Sequence, residues 1–211
     1  MKKFAIGLFV IGLILFSHPS WAAVTVNIAE PFVSQAPYHK WDFIHNESCE
    51  ETNVIMAYLW INNTKPTSKF VEAEIQKLTK WGLKKFKTYD TTAEQTAQMA
   101  RENYGLSPKI LKAPTLDQLK KELDQGHIIV MSFTGRLFHS PYYTKPGPLY
   151  HMLTLKGYDD KNFITNDVGT NTRGADFKFS FENIMTAAHD WTGSAKTLLK
   201  FSAVALIFEK N

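Results

Sequence analysis

The chain has 211 residues, with 24 Lys and Arg against 20 Asp and Glu, and a formal charge of +4 is too small to build a nucleic-acid surface. With 44% hydrophobic residues it can bury a sizeable core, and no repeat, low-complexity tract or inter-domain linker interrupts it. One cysteine, Cys49, excludes an internal disulfide, and no His, Cys and Asp spacing matches a zinc site, so neither metal nor cofactor is expected.

The N-terminus reads as an export signal. Lys2 and Lys3 precede the apolar run Phe4 to Phe16, and Ser20-Trp-Ala22 offers small residues where a signal peptidase reads them. Residues 1–22 are expected to be a signal peptide cut between Ala22 and Ala23. Residues 23–211 then form a single domain, secreted or periplasmic. The apolar run falls short of the roughly 20 residues a membrane span needs, so no stable membrane anchor is expected after cleavage.

Ile28 to Pro37 reads as an extended segment ending in a turn, and it carries Gln35, whose side-chain N–H is suited to holding an oxyanion. Trp41, Phe43 and Ile44 are expected to pack the approach to the next element. That element opens with the polar stretch Asn46 to Asn53 and continues as Val54-Ile-Met-Ala-Tyr-Leu-Trp-Ile61 without a break. A helix apolar all round is a buried one, so this is the expected central helix, with its first turn at the surface. Ser48 and Glu51 have capping-box spacing, which makes Cys49 the first helical residue. A helix N-terminus favours thiolate over thiol, and Glu50 and Glu51 are expected to face solvent. Cys49 reads as a nucleophile.

Helices follow over Ser68 to Trp81, after Thr92 up to Gly105, and after Thr115 up to Gly126, the last two with capping-box patterns. Lys84, Lys85 and Lys87 read as a solvated helix end. From His127 the pattern turns to strands: His127 to Phe133, Leu149 to Tyr158, Phe163 to Asp167, Phe177 to Phe181 and a long one over Leu198 to Glu209, with a short helix around Glu182 to His189. Helices first and antiparallel strands second give an α+β domain.

The hairpin through Asp159 to Asn162 gathers the remaining chemistry. A loop centred on Asp159 sets His151 opposite Asp167, and a carboxylate behind an imidazole holds the tautomer that accepts a thiol proton. A slip of one residue would bring Asn166 there instead, and an amide also orients an imidazole. His39, His45 and His127 lie at element ends, as surface or packing residues. His139 sits in the loop before the His151 strand, within reach of a cleft. His189-Asp190 is a rival dyad, but adjacent residues on a helix do not face each other, so a structural role is expected.

These stretches resemble the C39-like family of cysteine peptidases, which has a papain-like fold. The similar segments are Pro31 to Pro37, Ser48-Cys-Glu-Glu51, Gly147-Pro-Leu-Tyr-His-Met152, Lys156-Gly-Tyr-Asp159, Ile164 to Thr170 and His189-Asp-Trp191. The resemblance implies an N-terminal helical part whose central Cys-bearing helix packs on a C-terminal antiparallel sheet. It implies Cys49 as nucleophile, His151 as general base and acid, Asp167 as orienting group and Gln35 as oxyanion donor. The implied activity is hydrolysis of a peptide or protein substrate through an acyl-enzyme. The alternatives are acyl transfer to an amine, as in transglutaminases, and a peptide-binding module on the same fold. The chain departs from leader-processing members in lacking a phosphate-binding G-x-x-x-x-G-K-[ST] loop and in carrying its own export signal. Ser48 and Thr52 also depart from the family pattern, and neither removes a group the chemistry needs.

Exported protein is expected to begin at Ala23. N-terminal sequencing of material recovered outside the cytoplasm checks this, and residues 1–22 still in place would refute it.

Overall fold

The computed structural model describes residues 25–210, and the expected signal peptide lies outside them. In chain order the elements are strand β1 (Val26–Asn27), a one-turn helix α1 (Phe43–Asn46), and helices α2 (Cys49–Ile61), α3 (Ser68–Phe86) and α4 (Ala93–Tyr104). Strand β2 (Lys109–Lys112), helix α5 (Leu116–Asp124) and strands β3 (Ile128–Phe133), β4 (His151–Tyr158), β5 (Asn162–Asn166) and β6 (Phe177–Ser180) follow. Helix α6 (Phe181–Ala187) and strand β7 (Val204–Phe208) complete the set.

Local sequence accounts for most of these boundaries. Thr92 with Gln95 and Thr115 with Gln118 form the two expected capping boxes, and Gly105 ends α4 at φ +69, where a side chain would be strained. Helix α3 runs past Trp81 to Phe86, and its terminal Lys85 reaches Glu102 on α4 at 2.9 Å. The closing strand is shorter than its apolar pattern suggests. Leu198–Lys200 forms a 3-10 turn that leaves Leu199 and Phe201 exposed, so pairing begins only at Val204.

The strands form one antiparallel sheet in the order β2-β7-β3-β4-β5-β6, with β1 beside the far end of β4. Alternation along the strands divides the core between two faces. Ile128, Val130, Met152, Leu206 and Phe208 pack with α2, α3 and α4. Ile129, Met131, Phe133, Leu153 and Leu155 pack with α5 and α6. The fold is thus α+β and papain-like, with the Cys-bearing helix on the sheet as expected and a second helical layer behind it.

The start of α2 departs from the sequence reading. Ser48 is the N-cap and Cys49 the first helical residue, yet Ser48 makes no side-chain cap; its Oγ donates to the His45 carbonyl at 3.4 Å. Glu50 and Glu51 are buried rather than solvated, because the first turn is covered by the Asp90-Thr91 segment and by α3. Burial, with the nearby Asp90 charge, pushes the Glu50 carboxyl up to about 8, while burial and Glu50 push Glu51 well above the carboxylate range. Burial also raises Glu30, on the β4–β5 side, to about 8.

One amide ties α2 to the sheet. Buried Asn53 donates from Nδ2 to the Cys49 carbonyl at 2.8 Å and to the Met152 carbonyl at 2.9 Å, while Oδ1 accepts from Thr154 Oγ1 at 2.8 Å. Asn53→Leu removes the side-chain donor to the buried Met152 carbonyl and the acceptor of the Thr154 hydroxyl. It should cost about 3 kcal/mol of stability in urea unfolding; a loss within error of zero would show the bonds are replaceable.

The buried carboxyls also set a pH slope. Unfolded, Glu30 and Glu50 titrate near 4.5, and folding raises both to about 8. The folded chain then keeps protons that the unfolded chain releases, so stability is full below the lower value and declines as pH rises through the window to the upper one. The urea midpoint should fall between pH 5 and pH 8, and Glu50→Gln should make that fall shallower. A midpoint that rises across this range would refute the assignment.

Candidate active site

Residues from distant parts of the chain line one cleft of about 700 Å³, whose walls include Gln35, Trp41, Glu47, Tyr142, His151 and Arg173. His151 opens β4, is 4% exposed, and is fixed by close backbone approaches. A Cβ at Gly169 would stand 3.0 Å from the imidazole Cε1, and one at Gly135 would stand 3.2 Å from the His151 Cβ and 2.6 Å from Pro148. A side chain at Gly169 would crowd the ring, and one at Gly135 would crowd the His151 Cβ and Pro148. This is a matter of space, since neither residue has a positive φ.

His151 Nε2 and Asp167 Oδ1 are 2.8 Å apart, with both side chains buried. The expected contact is present, but direct opposition across the hairpin does not produce it. Thr154 pairs with Asn166 and Leu155 with Thr165, and an irregularity before Gly157 then shifts the register. Asp167 follows the end of β5 as the N-cap of a 3-10 turn (Val168–Arg173), accepting from Gly169 N at 3.0 Å, and that turn swings its carboxylate to the imidazole. Asn166 points elsewhere, donating to Glu30 Oε2 at 2.9 Å. The geometry therefore pairs the imidazole with Asp167.

Burial works against a charge on Asp167, but the adjacent His151 and hydrogen bonds from His151, Tyr143 and Gly169 outweigh it and hold the carboxyl below its ordinary range. An ionised Asp167 accepts the proton of Nε2, which leaves Nδ1 as the imidazole's free nitrogen. Tyr143, from the loop before β4, donates its hydroxyl to Asp167 Oδ2 at 2.7 Å and sets its ring edgewise to the imidazole at 5.5 Å. No periodicity or cap pattern marks a lone tyrosine in a loop, so the sequence gives no signal for it.

Cys49 starts α2 as expected, but its surroundings do not activate it. The side chain is 5% exposed, and its sulfur donates to Glu50 Oε2 at 3.0 Å; among the described residues it has no hydrogen bond to His151. Burial, then the charge and hydrogen bond of Glu50, with Asp90 and Glu51 beyond, push the thiol well above its ordinary range. The expectation of a lowered thiol pKa rested on solvated glutamates. Buried beside the sulfur, they outweigh the positive helix end.

Gln35 is held by its backbone N–H on the Val168 carbonyl at 3.1 Å and by Nε2 on the carbonyls of His45 at 2.6 Å and Asn46 at 3.3 Å. Its Oε1 is buried with no partner among the described residues. His45 anchors this corner, its ring bridging Asp42 at 2.8 Å and Glu72 at 2.9 Å, so it is a packing residue. Asp190 accepts from Ala93 N, Trp191 N and Ser132 Oγ, the structural role expected of the His189-Asp190 pair. His139 is exposed at φ +50 and does not line the cleft.

Among curated proteins no sequence matches the chain. Among solved structures, it is similar to a protein from Bacillus anthracis assigned to the C39-like peptidases. The two share 15% identity with a TM-score of 0.57, over 89% of this chain and 100% of that one, a likeness of fold. The model of the Peptidase_C39 like family matches residues 30–196, from after β1 to beyond Asp190. A match over that much of its length means that the chain belongs to the Peptidase_C39 like family.

Proposed function

We propose that the mature chain is an exported cysteine peptidase or amidase that works through an acyl-enzyme. The observation that carries this reading is the buried His151–Asp167 pair at 2.8 Å on the wall of a cleft that also holds Gln35. In this reading the sulfur leaves Glu50 and meets the free Nδ1 of His151. The thiol proton passes to Nδ1, and the thiolate attacks the substrate carbonyl. The oxyanion takes the N–H of Gln35 that otherwise makes the long 3.3 Å bond to the Asn46 carbonyl, together with the Cys49 backbone N–H. His151 then returns its proton to the leaving amine, and water releases the acyl group through the same base.

One observation favours a second reading. The sulfur rests on Glu50, buried and protonated, as it would in a module that binds peptides in the cleft without cleaving them.

Turnover separates the two. Against a mixed peptide library the wild type should cleave, and Cys49→Ala and His151→Ala should each lower kcat/KM by about a thousandfold or more. Peptides bound but uncut by the wild type would establish the binding module. Alkylation probes the resting thiol: wild-type Cys49 should react with iodoacetamide at pH 8 more slowly than a free thiol. Glu50→Gln, which removes the charge beside the sulfur, should speed it by about tenfold. Equal rates in the two proteins would remove Glu50 from the account.

A further inference from the structure

Asp167 has two carboxylate oxygens to satisfy at 1% exposure. His151 Nε2 and Gly169 N share Oδ1, at 2.8 and 3.0 Å. Among the described residues, Oδ2 has one donor, the Tyr143 hydroxyl at 2.7 Å. A carboxylate anchored on one oxygen turns about its last torsion, and a donor on the other oxygen fixes its plane. The plane of Asp167 sets the line along which Nε2 is held, and so the direction in which Nδ1 points. The Tyr143 ring also covers the pair, edge-on to the imidazole on the cleft side. Its own loop is braced by Gly147 N on the Thr144 carbonyl at 2.8 Å.

We propose that Tyr143 is a positioning residue of the reaction, fixing the carboxylate plane of Asp167 and through it the imidazole of His151. The proposal rests on the peptidase reading and adds a fourth side chain to the nucleophile, base and orienting group. Burial and the Asp167 charge keep the Tyr143 hydroxyl protonated well past its ordinary range, so it stays a donor wherever the enzyme works. Without it, Oδ2 is a buried anionic oxygen with no partner, and the carboxyl either turns toward water or takes a proton. Either result loosens the imidazole without touching the substrate.

Tyr143→Phe keeps the ring and removes the hydroxyl. We expect kcat to fall about tenfold with KM within about twofold, the signature of a lost transition-state contribution. In 13C NMR the Asp167 carboxyl should titrate at higher pH than in the wild type. In an Asp167→Asn background, Tyr143→Phe should change kcat/KM by less than about twofold, since the group it acts through is gone. Equal losses in both backgrounds would make Tyr143 a packing or substrate-contact residue and overturn the proposal, as would unchanged kcat/KM with an unchanged Asp167 titration. Site-specific 3-fluorotyrosine at position 143, a stronger donor of nearly the same shape, should move the Asp167 titration the other way, and it serves if the phenylalanine variant does not fold. A wild type that cleaves no peptide would defeat the peptidase reading instead. The Asp167 titration then decides alone whether Tyr143 positions the pair, an unchanged midpoint overturning it.

Discussion

The geometry of the cleft depends on where α2 meets β4, and Asn53 sets that meeting. Its amide bonds the backbone of Cys49, one turn back on its own helix, and the backbone of Met152, next to His151. The helix that carries the thiol and the strand that carries the imidazole are thus joined through a single side chain, whose oxygen is occupied by Thr154. Apolar packing between α2 and the sheet is non-directional and would tolerate sliding. A buried amide with each partner in place does not, because any slip leaves polar groups unpaired.

The same region carries an uncommon load of buried acid. Glu30, Glu50 and Glu51 all lie in the interior, held protonated by burial over a range where surface carboxyls are ionised. Asp167 is equally buried and goes the other way, because the adjacent His151 and the hydrogen bonds from His151, Tyr143 and Gly169 outweigh the burial. Glu50 and Glu51 are therefore neutral in the first turn of α2, beside the sulfur, while Asp167 is ionised behind the imidazole. Burial of the thiol, and the charge that Glu50 gains as it ionises, keep the sulfur protonated, while the ionised Asp167 keeps the base oriented.

Much of this was legible in the sequence, and the failures have definite causes. The capping boxes at Thr92 and Thr115 are local and stand where their spacing puts them. The Ser48–Glu51 pair has the same spacing and forms no box: the Ser48 hydroxyl turns back to the His45 carbonyl, and Glu51 is buried against α3. Spacing says which bonds are available; packing decides which are made. The hairpin chose between Asp167 and Asn166 only in three dimensions, because the register shift near Lys156 cannot be counted from the turn. Strand β2 has four residues and α1 a single turn, both below the length at which periodicity is visible. Tyr143 depends on a loop path that no pattern encodes.

The two carbonyls under Gln35 have a consequence for its amide. An isolated glutamine side chain exchanges its oxygen and nitrogen by a half-turn at little cost. Here that half-turn would set Oε1 against the carbonyl oxygens of His45 and Asn46, three like partial charges with no proton among them. The amide is therefore polarised in one sense, hydrogens toward those carbonyls and oxygen away. The clamp on the His45 ring between Asp42 and Glu72 holds the carbonyls in place. A surface loop and a helix far along the chain thus decide which end of one side chain a negatively charged oxygen would meet.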